Sequence, residues 1–91
     1  MSKLFIAKSI AGRDKGHYLV TLGVIDENYV LVSDGKLRKV DKPKRKKLKH
    51  LMVIANLSES DEKIVQSESF SDIAAAEMIS KYHTVLKKEK E

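Results

Sequence analysis

The sequence predicts a mainly β protein: a small barrel of short strands followed by one C-terminal α-helix. Three observations carry this reading. Runs of β-branched and aromatic residues, closely spaced by turns, crowd the part of the chain up to Leu57. Gly23 interrupts one of these runs, where a closing sheet needs a bulge or a sharp bend. Beyond Phe70 the apolar period changes from that of a strand to that of a helix. A chain of 91 residues has room for one small domain and an added helix, so the core is modest and a deep substrate cavity is not expected.

The first strand is read at Leu4 to Ile10, and Ala11 to Gly16 forms a loop whose two glycines flank a charged tip. His17 to Ile25 (HYLVTLGVI) follows as a strand. Tyr18, Val20, Leu22 and Val24 lie on one face of its pleat and Leu19, Thr21, Gly23 and Ile25 on the other, so both sides are partly buried. Asp26-Glu27-Asn28 is a turn and Tyr29 to Ser33 the next strand; Asp34-Gly35 then signals a tight hairpin, with Leu37 to Val40 as the returning partner. Pro43 breaks pairing, so the basic stretch around it reads as an exposed loop in which substitutions leave the fold intact. Leu48 to Leu57 is either a last strand or a buried connector, and periodicity does not separate the two. These elements make residues 1–57 the barrel domain.

Residues 58–70 are polar and acidic, with only Ile64 and Val65 to bury before Phe70, and read as a linker with room for a short helical turn. The helix spans residues 71–88. Ala75, Met78, Ile79, Tyr82, Val85 and Leu86 fall in one helical stripe, which is expected to pack on the barrel. Ser71 is placed to cap it, Phe70 to staple onto Ala75, and Asp72, Lys87 and Lys88 to complement its dipole.

Charge is concentrated in one place. From Lys36 to His50, KLRKVDKPKRKKLKH, nine lysines and arginines face a single acid, Asp41. Through His50 the chain carries 13 basic and 5 acidic residues, and after it 5 and 8, so the net +5 divides into +8 and −3. A field of that sign and density draws in phosphate backbones. Aromatic residues are few, and only Tyr18 or Tyr29 is placed to stack on a base, so phosphate contact and shape should dominate recognition.

Other chemistries find little support. The absence of cysteine removes disulfides, thiolate zinc sites and cysteine nucleophiles, and fits a reducing cytoplasm. His17, His50 and His83 lack metal-ligand spacing, and no serine or threonine has an evident base beside it. Gly12 and Gly16 enclose a loop, but His17-Tyr18 and a strand follow it where a phosphate-binding loop needs Lys-Ser or Lys-Thr and a helix. No enzyme activity, metal, cofactor or small-molecule substrate is expected. The apolar stretch near the N-terminus is too short for a signal peptide, and nowhere does an apolar run reach membrane-spanning length. The protein is expected to be soluble, unprocessed and cytoplasmic, and its basic run has no apolar face to insert into a membrane.

Ser9 to Gly23, SIAGRDKGHYLVTLG, resembles a KOW motif, with its Lys-Gly pair at Lys15-Gly16. Together with DGKLRKV and PKRKKLKHL, it resembles the KOW-containing relatives of the archaeal and eukaryotic large-subunit ribosomal protein L fourteen e. The resemblance implies an SH3-like barrel that binds ribosomal or other structured RNA. On it, Arg13 and Lys15 of the loop contact RNA, as do Lys36, Arg38 and Lys39 of the hairpin. Lys42 and the segment Lys44, Arg45, Lys46, Lys47, Lys49 and His50 complete the set. Asp14 is expected to be structural, pairing with Arg13 or Lys15 or capping the turn. The acidic stretch after Asn56 departs from a core ribosomal protein with a long basic extension, which leaves a ribosome-associated or auxiliary role open. The alternative is an adaptor that docks an acidic protein through the barrel and the helix, though anchoring aromatics are scarce for that task.

Overall fold

A computed structural model describes the backbone of residues 4–89 and the side chains of residues 4–84. Five strands form one antiparallel sheet: β1 (Phe5–Ser9), β2 (Tyr18–Val24), β3 (Tyr29–Ser33), β4 (Lys44–Lys47) and β5 (Leu51–Asn56). Their spatial order is β4-β3-β2-β1-β5, a four-stranded meander whose fifth strand returns to pair with the first. Two helices follow, α1 (Glu59–Gln66) and α2 (Asp72–Glu89). Among the described residues no helix is long and apolar enough to cross a membrane.

The alternation read in β2 is realised as two cores, one on each face of the sheet. Leu19 joins Phe5, Ala7, Val30, Val32 and Leu51 on one face. Val20 joins Leu4, Ile6 and Leu57 on the other, where Val65 of α1, Phe70, and Ala75 and Met78 of α2 cover them. The helices contribute to only the second of these clusters; the first is made of strand residues, with Leu48 packed against it. Gly23 marks a register shift between β2 and β3, the irregularity its position in a strand predicts.

The sheet does not close into a barrel, contrary to the expectation. β4 and β5 are its two edges. They are joined by a single 3-10 turn, Leu48–His50, and the last carbonyl of that turn already accepts a hydrogen bond from Ile10 N at 2.9 Å. The chain is thus committed to β1 as soon as it leaves β4. Of the two alternatives for Leu48 to Leu57, the strand is the one that forms.

Three other expectations are corrected. Leu37 to Val40 does not return beside β3. The Asp34 carboxylate accepts from Lys36 N and Arg38 N at 2.8 and 2.9 Å, which holds the segment as a turn. The strand that pairs with β3 is Lys44–Lys47, so the basic stretch is an edge strand and not an exposed loop. Pro43 stands just before that strand, where its missing N–H is tolerated. Lastly, the supposed linker contains the two-turn helix α1, whose Ser58 Oγ accepts from Asp61 N at 3.2 Å.

Helix α2 follows its sequence signals closely. Ser71 Oγ accepts from Ala74 N at 3.1 Å, and Phe70 and Ala75 are both buried in the same cluster, as a staple requires. Met78 is buried, with Ile79 and Tyr82 packed partly against the core. The side chains of Val85, Leu86, Lys87 and Lys88 lie outside the described residues. Asp72 bonds to Val40 N at 2.7 Å as well as lying at the helix start, which ties the 34–40 turn to α2.

That tie imposes a close approach. Gly35 has φ 75°, and a Cβ built there would overlap the Asp72 carbonyl oxygen. Gly16 also has positive φ, 91°, but open space around it. Gly16→Ala should therefore cost about 1 kcal/mol from backbone strain alone. Gly35→Ala should lower the melting temperature clearly more, because the turn must also lift from the helix. Equal melting temperatures by circular dichroism would show that the turn and α2 separate freely.

Candidate nucleic-acid interface

The loop between β1 and β2 is folded tightly by its own backbone. Gly16 N donates to Ser9 O at 2.8 Å, His17 N to Asp14 O at 2.9 Å and Lys15 N to Gly12 O at 3.2 Å. Gly12 and Gly16 supply the two positive φ angles, 89° and 91°. This geometry turns the Asp14 side chain inward and leaves Arg13 and Lys15 exposed at the tip.

Asp14 meets β4 there. Its carboxylate accepts from Ser9 Oγ at 2.7 Å and from Lys46 Nζ at 2.6 Å, with Lys44 Nζ at 3.5 Å. Lys46 Nζ donates in addition to Ala11 O at 2.8 Å. The Lys46 side chain is 5% exposed and that of Asp14 13%. Asp14 is structural, as expected, but its charged partners come from β4 and not from Arg13 or Lys15. Lys46, read from sequence as a phosphate contact, is instead buried, with its ammonium bonded inside the protein. Reversing its charge would set a glutamate against Asp14, so it does not belong among the substitutions the fold tolerates.

Strand alternation sorts the rest of the run. Lys46 lies opposite Val30 and Lys44 opposite Val32, on the face of the sheet-enclosed core. Arg45 and Lys47 point the other way. Lys47 lies directly opposite Tyr29, and the Arg45 guanidinium sits over the Tyr29 ring, 4.0 Å from its centroid, with Lys47 Nζ at 5.9 Å. Arg45 is the largest cause of a lowered pKa at the Tyr29 phenol, opposed by desolvation and assisted by Lys47.

The other predicted residues fall around these two groups. Arg13, Arg38 and Lys44 border one depression of about 250 Å³, together with His17, Asp34 and Leu37. Lys36 lines a neighbouring cavity of about 360 Å³ between the loop and α2, beside His17, Tyr18 and His83. Lys39 is exposed, 3.9 Å from Asp72, and Lys42 and Lys49 are exposed as well. His50 is half-buried in the turn between β4 and β5. Asn28, absent from the sequence-derived set, lines a third depression with Tyr29, Lys47, Leu48 and Lys49. Only the cross-strand register of β4 reveals that grouping.

The chain matches no protein-family model, and no curated protein matches it.

The Asp14 carboxyl is raised by burial, but hydrogen bonds from Lys46 and Ser9 and the charges of Lys46 and Lys44 outweigh this and bring its pKa from 3.8 down to about 2. A folded pKa below the unfolded one stabilises above the unfolded value, and the gain is lost as pH falls through the folded one. Asp14→Asn should accordingly cost about 2 kcal/mol at neutral pH. The gap between variant and native chain in urea unfolding should narrow steadily between pH 4 and pH 2. A gap that stays constant over that range would show that the carboxylate charge is not what holds the loop.

Proposed function

We propose that this chain is a noncatalytic RNA-binding protein of the KOW type, of the L-fourteen-e-like kind, acting at the ribosome or on ribosomal RNA in the cytoplasm. The observation that carries the reading is the Asp14–Lys46 pair, 2.6 Å long, which fastens the glycine-bounded loop to the basic edge strand. By it the exposed Arg13 comes to lie beside Arg38 and Lys44, with Lys15 exposed on the same loop. The strand order also supports an SH3-like barrel left open between β4 and β5, since the strands of the meander share a core of their own and the fifth strand comes back to the first.

On this reading, arginines form bidentate contacts with phosphate oxygens and lysines act as point charges. Exposed cations on a fixed backbone bind phosphates without paying first for ordering a loop. The helical side of the protein serves to hold the sheet, while the loop, the 34–39 turn and the outward side chains of β4 meet the RNA.

A triple variant, Arg13→Glu with Lys15→Glu and Lys42→Glu, tests the proposal. All three residues are exposed, so the fold should persist, as circular dichroism can verify. Affinity for a structured RNA should fall more than tenfold, and the slope of log affinity against log salt should shrink by roughly 2 to 3 if each residue contacts one phosphate. An unchanged affinity and slope in the folded variant would overturn the proposed surface.

A further inference from the structure

The depression beside Tyr29 has a chemistry that phosphate binding alone does not use. It measures about 270 Å³ and is lined by Asn28, Tyr29, Lys47, Leu48 and Lys49. A tyrosine, an asparagine and two lysines thus border a space suited to one planar ring and its attached phosphate. We propose that this is a binding site for a single unpaired nucleotide, so that the favoured RNA carries a splayed-out base next to its contacted backbone. The inference rests on the RNA-binding reading above and specifies its ligand.

The three tyrosines differ in what is left for a ligand. The Tyr18 ring already packs on His83, with centroids 4.7 Å apart, and Lys8 Nζ lies over it at 5.8 Å. The Tyr82 hydroxyl donates to Asp61 at 2.7 Å and accepts from Ser58 N at 3.0 Å, which makes it part of the packing between α1 and α2. Among the described residues, the groups over the Tyr29 ring are both cations, Arg45 and Lys47. A base can extend such a stack on the planar guanidinium or take the place of a cation on the ring, both of which are surfaces on which unpaired bases settle.

The site is also held in shape before any ligand arrives. Asp26 Oδ1 accepts from Asn28 N at 2.8 Å and Tyr29 N at 2.9 Å, and Leu48 N donates to Asn28 O at 2.8 Å. The backbone on both walls is therefore fixed, while the Asn28 side-chain amide makes no hydrogen bond among the described residues. It offers a donor and an acceptor together, the pair needed to meet a base edge. A base inside an A-form duplex hides its faces in the stack and cannot reach this ring.

The test compares the full chain binding two RNAs of equal length, a perfect duplex and the same duplex carrying one bulged uridine. Native protein should prefer the bulged RNA. Tyr29→Ala should weaken bulged-RNA binding by about 5- to 150-fold, the range for one stacked base, and weaken duplex binding much less. Tyr29→Phe should keep the preference. A readout needing no variant is crosslinking of a 5-iodouridine bulge to native protein, where the crosslink should map to Tyr29. Equal affinity for the two RNAs, or crosslinks solely at other residues, would overturn the nucleotide site while leaving the RNA-binding reading in place. Failure of the native chain to bind either RNA would overturn both.

Discussion

The interaction on which the rest of the surface depends is the ion pair between Asp14 and Lys46. A strand of sequence Lys-Arg-Lys-Lys has no apolar alternation to choose its register, and a slip of one residue would exchange its two faces. Asp14 makes the choice. Its carboxylate, 13% exposed, can be satisfied by an ammonium reaching from the Lys46 position, whereas Arg45 and Lys47 are turned to the opposite face. A buried ion pair is poor evidence for large net stability, because desolvation of both partners offsets most of the attraction, but fixing register is a role such pairs are known to fill. Here register determines which cations remain outside.

Two further polar ties secure the other side of the sheet. Asp72 holds the 34–40 turn through Val40 N, and Gly35 lets that turn lie against the first turn of α2. Asp61 of α1, 7% exposed, receives Lys81 Nζ at 2.8 Å and Tyr82 Oη at 2.7 Å from α2, which locks the helices to each other over the Leu4, Ile6 and Val20 cluster. The Asp61 pKa is lowered by the hydrogen bond from Lys81 against a smaller desolvation, so this clasp is strongest with the carboxylate charged. In a protein of this size the apolar clusters are small, and carboxylates at Asp14, Asp61 and Asp72 join elements that those clusters alone would leave loosely placed.

What could be read from the sequence follows from where each element draws its stability. β2 and β3 were legible because their side chains alternate between two apolar surfaces, and Gly23 announced its bulge by interrupting that pattern. α2 was legible because cap, staple and stripe are all local. β4 was not, since its strand state comes from hydrogen bonds to β3 and from Asp14, 32 residues away from Lys46. α1 was hidden for the same reason: beyond Val65, its burial rests on Asp61, whose partners lie 20 and 21 residues further on. The false strand at Leu37 to Val40 arose from treating Asp34-Gly35 as a two-residue hairpin. The Asp34 carboxylate in fact captures the amides of Lys36 and Arg38 and keeps the chain turning. For the site, sequence located the basic region and the loop but assigned equal roles to cations that the fold treats differently.

That difference bears on what the run contributes to the proposed RNA-binding surface. Exposed lysines on an edge strand already serve the protein by discouraging pairing with another chain's edge, so a basic edge is useful before any partner is considered. Burying Lys46 and half-burying Lys44 removes two charges from the crowd and places them against a carboxylate, which relieves repulsion within the strand and leaves an ordered subset facing outward. The outward pair, Arg45 and Lys47, is spaced by two residues on one face and gathered around an aromatic ring. A disordered lysine tail of equal charge would attract phosphates just as strongly at long range, yet it could not hold a guanidinium 4.0 Å above a tyrosine. The fold therefore converts part of a nonspecific electrostatic field into fixed geometry, and it is geometry, not charge, that can distinguish one RNA shape from another.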